Sequence, residues 1–501
     1  MMRTEAFPKS PSRMVRLATG AVLAASLVLF PGLLCPATEY LTLDKALEYA
    51  FRNSPSIQEA SFRLETSQQN LMAQQAGLKS QFNLTLTPLS ISNTRNFNDL
   101  TSSYFYQTLA KSEARFSITQ PIKWTDGTIT LSDRFNWQEA SSTYTGGDKT
   151  RTFNNSLTLR LNQPLFTYNR TKMNLEELKL SLENATLNHA IQKLAIERQV
   201  TQQFLNLFYL REGVKIAEEE YKNAGESFAI IESKVQAGIS ARGELYQADL
   251  TQSNSLASLE NKQIQFENAL DQFKILIGLP LNEDVEAVAD IRKSIVAVDL
   301  AKAIGNGLEY RMELRQSEIS IRNALNDLIV AGSLNEFKAS VDMTLGLTGV
   351  NEALKNIYDA PDVDKLVAVT LNIPIFDWGQ KKHVLAASRA QVDIQKLSAS
   401  EEEKQIEVDI RQAHRNLQNQ ERQIEIAEKN ITNAQLTYDI NLLRYKNGDL
   451  SSKDMEYYQL QLSQQKLNEV SALINYKLAL LDIKIRSLWD FERDMAVKDI
   501  L

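Results

Sequence analysis

Along residues 157–162, and again along 367–373, apolar and polar side chains alternate one for one. Leu157, Leu159 and Leu161 oppose Thr158, Arg160 and Asn162, and Val367, Val369, Leu371 and Ile373 oppose Ala368, Thr370 and Asn372. A period of two puts the two sets on opposite faces of a strand. Phe337, Ala339, Val341 and Met343 alternate in the same way with Lys338, Ser340 and Asp342. Beyond the first two strands the pattern changes. No proline occurs between Pro164 and Pro280 or after Pro374, and both runs are rich in Leu, Ala, Glu, Gln and Lys, which lose little freedom in a helix. Two very long helices are predicted; the first, from about Asn169 to Gln236, reaches on the order of 100 Å at 1.5 Å per residue. Rods of that length must pack side by side, and Leu460, Leu467, Ile474, Leu481 and Leu488 supply a sevenfold seam for doing so.

The two strand-to-helix transitions are copies of one phrase. LTLRLNQPLFTYN, from Leu157, returns as VAVTLNIPIFDWG, from Val367, a shift of 210 that aligns Pro164 and Phe166 with Pro374 and Phe376. The match continues through Ile196-Glu197 with Ile406-Glu407, Ile216-Ala217-Glu218 with Ile426-Ala427-Glu428, and Gly238 with Gly448. Upstream, AGLKSQF (from Ala76) matches AGSLNEF (from Ala331) at a shift of 255, so the first repeat holds about 45 extra residues. That insertion, about 110–145, contains a hairpin around Thr125-Asp126-Gly127, giving four strands per chain, or six if it joins the sheet. Further strands are expected at about 337–347 and 366–376.

Each long leg breaks once. Gly238 and Gly448 can end a helix in the left-handed conformation, and Ser240 and Ser451 can cap the next one, placing hairpin tips at 238–243 and 447–452. The return legs, ending near Leu279 and Trp489, are about half as long as the outgoing ones. The helix around Arg311 to Ile329 is expected to fill the missing length in the first repeat, and that around Pro55 to Ala76 in the second. The domain reading is a signal peptide at 1–37, a first structural repeat at 38–290 and a second at 291–501.

Composition narrows the picture. Arg13 and Arg16 precede the apolar run LATGAVLAASLVLFPGLL, as in a secretory leader. The only cysteine, Cys35, is either a lipid-attachment site or lost by cleavage after Ala37; cleavage is favoured because Leu34 is large where lipoprotein processing wants a small residue. Cleavage leaves no thiol chemistry and no disulfide. Without the leader the formal charge falls from −7 to about −10, which argues against nucleic acid as partner. No later stretch has the 18 or more apolar residues of a spanning helix, so any membrane crossing must use strands. The alternating strands suit either a half-buried soluble sheet or a wall with lipid outside and water inside. Four or six strands cannot close a barrel, and bilayers do not tolerate open edges, so chains must pool strands.

LTLDKALEYAFRNSPSI near the start, the paired QPLF and IPIFDWG junctions, and two tips with an acid six places after glycine resemble the TolC-like outer-membrane efflux proteins, from about Leu41 to Trp489. The resemblance implies a mostly α-helical protomer with a transmembrane β part. Three copies would form a β-barrel in the outer membrane of a Gram-negative bacterium, continued by an α-helical barrel through the periplasm. It implies the exit channel of a tripartite efflux or type I secretion system. The partners would be a periplasmic adaptor (membrane fusion) protein, an inner-membrane transporter of RND or ABC type, and outer-membrane lipid. No cofactor and no enzymatic activity are implied. The family's periplasmic aperture lies at the tips, where Glu244, Asp454 and Tyr445 match its positions, and Gly238, Ser240, Arg242, Gly448, Ser451 and Lys453 stand where an adaptor would touch. Rings of Glu244 and Asp454 would favour cations; alternatively both acids only start helices. The pattern departs at Tyr457, in place of a second acid, and at Leu450, in place of a basic residue; Arg242 and Lys453 offer replacement pairs.

An enzyme is the first rival reading. His189, His383 and His414 lack metal-ligand spacing and read as solvated helix residues, and no glycine-rich phosphate loop follows a strand. An exported coiled-coil scaffold or stalk without a pore is the second; it explains the helices and not the strands. Aromatic residues near the strands, among them Trp124, Phe166, Phe376 and Trp378, suit either interfacial girdles or junction packing, with Trp378 the leading candidate for a periplasmic-side girdle.

Overall fold

The computed structural model describes residues 39–287 and 293–497, so the leader reading, with Cys35 and Ala37, lies outside the described residues. A short strand β1 (Glu39–Leu41) leads to α1 (Leu43–Asn53) and α2 (Pro55–Gly77). Four long strands follow, β2 (Gln81–Asn98), β3 (Ser103–Ile122), β4 (Gly127–Ser142) and β5 (Lys149–Leu165), and then the helical hairpin α3 (Arg170–Gln236) and α4 (Arg242–Ile277). The second round runs β6 (Val285–Ala287), α5 (Leu300–Tyr310), α6 (Met312–Gly332), β7 (Lys338–Asn351), β8 (Asp362–Asn372), α7 (Gln380–Asn447) and α8 (Ser452–Ser487). A small pair, β9 (Trp489–Asp490) and β10 (Met495–Ala496), closes the described chain. β1 and β6 pair in parallel, joining the starts of the two rounds.

The long strands form one antiparallel meander, in the order β2-β3-β4-β5-β7-β8. The inserted hairpin is therefore part of the sheet: β3 and β4 stand between β2 and β5. Three strand boundaries differ from expectation. β7 runs on to Asn351, and β8 starts at Asp362 instead of 366 and stops at Asn372 instead of reaching 376. The ladder ends there because Asn372 already faces Lys338, the first residue of β7, and Pro374 has no N–H to extend it. Pro164, by contrast, lies inside β5 opposite Ser340, beyond the point where β4 pairing ends at Asn162.

The helices form four side-by-side columns. α2 and α4 both pack against α3; α6 and α8 lie between α3 and α7. This corrects the expected filling of the short legs: α2 completes the first repeat and α6 the second, each beside its own long helix. α6 also reaches α3 through Arg315 to Glu183 at 2.6 Å and Gln316 to Asn184 at 2.9 Å. Connection length decides it, since Gly77 and Gly332 must each return directly to the strand that follows.

The expected leucine seam is only partly used. Ile474 and Leu488 are buried, but Leu460 is exposed, and a second sevenfold row on α8 buries Met455, Leu462, Tyr476 and Ile483, broken at the half-buried Glu469. α8 is packed from two sides, by α7 and α3, so its buried surface follows two partners instead of one seam.

Two matched cores fasten the short helices to the long ones. In the first, Ala46 and Ala50 of α1 meet Ile196, Val200, Leu207 and Phe273; in the second, Ala303 meets Ile406, Ile410, Leu417 and Ile483. The long-helix residues correspond through the shift of 210. At the position equivalent to Ala50 stands Gly307, where a methyl would run into Ile410 Cδ1. The methylene missing from α5 is supplied from α7, since the first core has valine where the second has isoleucine.

Candidate functional site

Both hairpin tips lie at the end of the helical wall remote from the sheet, and they are fastened to each other. Gly238 (φ +75°) and Gly448 (φ +90°) take the left-handed conformation expected of them. Ser451 caps α8, accepting from Asp454 N at 3.2 Å and donating to Asp454 Oδ2 at 2.7 Å. Ser240 does not cap α4: Ala241 precedes that helix and makes no side-chain capping bond.

Tyr445 forms the centre of the junction, 1% exposed, in a cluster with Ile231, Ala248 and Met455. Its hydroxyl donates towards Ser227 O of α3 and lies the same 3.4 Å from Ser452 Oγ. Lys234 crosses from the first hairpin, donating to Tyr445 O at 2.9 Å with its Nζ 5.5 Å from the ring centre. Burial pushes the Tyr445 phenol above its ordinary range, and nearby Glu244 pushes the same way. Tyr445 is neutral at physiological pH and joins the two hairpins of a single chain.

Glu244 and Asp454, paired in the sequence reading, take different positions. Glu244 is half-buried and accepts from Ser452 N at 3.1 Å, so an acid of the first hairpin caps the return helix of the second. Asp454 is exposed, and its carboxylate accepts only from Ser451, the cap of its own helix. Arg242 and Lys453 are exposed and, among the described residues, form no ion pair within the protomer. Tyr457 is exposed, its ring 5.5 Å from that of Tyr458, and Leu450 packs against the tip cluster.

At the sheet end, Phe166 packs against Phe337 at a 45° tilt with ring centres 5.4 Å apart, and Phe376 meets Trp378 edge-on at 4.7 Å. Phe166, Phe376 and Trp378 are all well exposed, as is Trp124 in the β3–β4 turn. Two acids at this border hold the helix starts. Asp126, from the β3–β4 turn, accepts from Thr171 N at 3.0 Å, and Asp377 accepts from Gly379 N at 2.9 Å and Lys381 N at 3.1 Å. Those backbone bonds from Lys381 and Gly379 draw the Asp377 carboxyl below its ordinary range.

His189 touches Ser61 at 3.3 Å and His414 touches Gln418 at 3.1 Å; both are half-buried rather than solvated, whereas His383 is exposed. Lys234, Asp126 and Asp377 did not stand out as functional in the sequence. Each left a signal there: Lys234 matches Arg444 through the repeat, Asp126 sits in a turn dipeptide, and Asp377 lies two residues before the glycine opening α7.

The family model described as outer membrane efflux protein matches residues 128–279 and 303–484. The nodulation protein T of Rhizobium leguminosarum bv. trifolii is 23% identical over 306 residues, 58% of this chain and 62% of that protein. The pyoverdine export outer membrane protein OpmQ of Pseudomonas putida is 22% identical over 286 residues, 54% of this chain and 56% of that protein. The chain thus spans less than two thirds of the length of these relatives. The solved Campylobacter jejuni CmeC outer membrane channel has the same fold, with a TM-score of 0.66 at 15% identity, over 91% of this chain and 88% of that one.

Proposed function

Because the chain belongs to the outer membrane efflux protein family, we infer that three copies form a passive exit duct, from a periplasmic mouth at the hairpin tips to the cell exterior. One observation carries this reading: an outward apolar sheet face runs directly into helices of 67 and 68 residues, a wall on the order of 100 Å long. Phe82, Leu84, Val367 and Val369 are each more than half exposed. A face of this kind is costly in water and at home in lipid, which is where a pore-free scaffold has no use for it. Phe166, Phe376 and Trp378 lie at the sheet border and suit the polar boundary of a bilayer.

The tips are where a periplasmic adaptor docks, with Gly238, Ser240, Arg242, Gly448, Ser451 and Lys453 on the contact surface; an inner-membrane transporter of RND or ABC type supplies the energy and selects the cargo. Asp454, exposed at the tip, contributes the carboxylate ring that favours cations. Glu244 adds negative potential while holding the two hairpins together, and Tyr445 sets their closed spacing. The mature chain is expected as a heat-modifiable trimer in the outer-membrane fraction, conducting in planar bilayers. Asp454→Asn should lower the cation-to-anion permeability ratio; an unchanged ratio removes Asp454 from the pore. A mature chain soluble as a monomer without detergent would end the duct reading.

A further inference from the structure

The six-stranded sheet is open, and its two edges are complementary. β2 at one edge and β8 at the other are exposed along nearly their whole lengths, while β3, β4, β5 and β7 each have a neighbour on both sides. Because the sheet is an antiparallel meander of an even number of strands, β2 and β8 run in opposite directions. The β8 edge of one copy therefore presents the right polarity to the β2 edge of the next, continuing the antiparallel pattern around a ring.

The apolar face reaches both edges. One row across the register runs Phe82, Ile118, Leu131, Leu159, Leu345, Lys365; the next runs Leu84, Phe116, Asp133, Leu157, Leu347, Val363. Only Lys365 and Asp133 interrupt these two rows. The inserted strands β3 and β4 thus carry the same outward belt as the four strands shared by the repeats. The reverse face is polar and bonded to itself, as between Asn162 and Asp342 at 2.7 Å and between Ser156 and Thr348 at 3.2 Å. A hairpin folded back outside the wall would expose that polar face to lipid.

Circumference supports the same arrangement independently of copy number. Four helical columns at about 9–10 Å give each chain roughly 36–40 Å of tube wall. Six strands 4.8 Å apart and tilted about 40° occupy roughly 38 Å, whereas four occupy only about 25 Å. With six strands the sheet and the helices match in girth, and the tube passes between them without narrowing.

Resting on the three-copy duct proposed above, we propose that the membrane section is a barrel of 18 strands, closed by pairing β8 of each copy with β2 of the next copy. The backbone diameter is then about 36 Å, against about 24 Å for twelve strands. With side chains filling about 5 Å on each side, the clear bore is about 26 Å instead of about 14 Å. Such a mouth passes bulky or partly folded cargo that a twelve-stranded outlet excludes.

The test is a cryo-EM reconstruction of the mature protein in lipid nanodiscs, with disulfide trapping in membranes. Eighteen strands around one axis are expected. Leu84→Cys with Phe116→Cys, across β2 and β3, and Leu131→Cys with Leu159→Cys, across β4 and β5, should each cross-link within a chain. A trimer with twelve strands, with β2 beside β5 and neither pair trapped, overturns the wide barrel and leaves the duct standing. Absence of any trimer overturns the duct itself, and the barrel with it.

Discussion

Tyr445 offers the sharpest test of how the two hairpins are held. The ring is almost wholly buried among Ile231, Ala248 and Met455, whereas its hydroxyl makes two contacts at 3.4 Å, at the long limit of hydrogen bonding. Packing should therefore outweigh the hydroxyl. Tyr445→Ala removes a buried aromatic side chain, a change that costs about 3–5 kcal/mol. Tyr445→Phe keeps the ring and loses weak bonds, costing about 1 kcal/mol or less. The tip opens locally, so amide exchange reads these costs directly. At about 1.36 kcal/mol per decade, exchange of residues 438–452 should quicken by roughly two to three and a half decades in the alanine variant. The phenylalanine variant should quicken by about fivefold or less. Residues near Ile410, in the distant second core, serve as the internal control and should not change. Equal acceleration in both variants, or acceleration spread evenly along α7, refutes the packing argument.

Gly307→Ala should destabilise by about 1–3 kcal/mol through overpacking against Ile410. Adding Ile410→Val recreates the Ala50–Val200 arrangement and should recover most of the loss in a thermal double-mutant cycle. Gly278 has φ +75°, and a methyl there would meet the Asn53 backbone; Gly278→Ala should cost at least about 1 kcal/mol and lower the melting temperature more than Gly243→Ala, which has open space. Glu244→Ala leaves Ser452 N without its acceptor, although Ser451 still caps α8, and should cost about 1.5–3 kcal/mol, as for a hydrogen bond to a charged group, while Glu244→Gln, which keeps an acceptor for Ser452 N, should cost less; equal losses would mean that charge alone matters. Asp377 is held below its ordinary pKa by backbone donors, so its contribution is present above the unfolded aspartate range near pH ~4 and is lost as pH falls through the lower folded value. The stability gap between wild type and Asp377→Asn should thus be present at pH 7 and close in acid; a gap that widens in acid contradicts this sign.

Features carried by local period were legible in the chain. The two long helices followed from proline-free runs, and the tips followed from Gly238 and Gly448, because helix termination is settled within a few residues. Alternation marked the strands for the same reason, and the shift of 210 paired Ile196 with Ile406, which the structure places in matched cores. Partner choice was not legible in this way. Which short helix fills which column, whether β3 and β4 enter the sheet, and which face of α8 is buried all depend on partners outside the element itself, from neighbouring strands for β3 and β4 to a helix more than 200 residues away for α8. Glu244 and Asp454 show the distinction most plainly. Their spacing from glycine is identical, yet Glu244 reaches across to Ser452 in the other hairpin and Asp454 bonds within its own. A repeat encodes equal backbones, and only the packing of one copy against the other gives equal residues different neighbours.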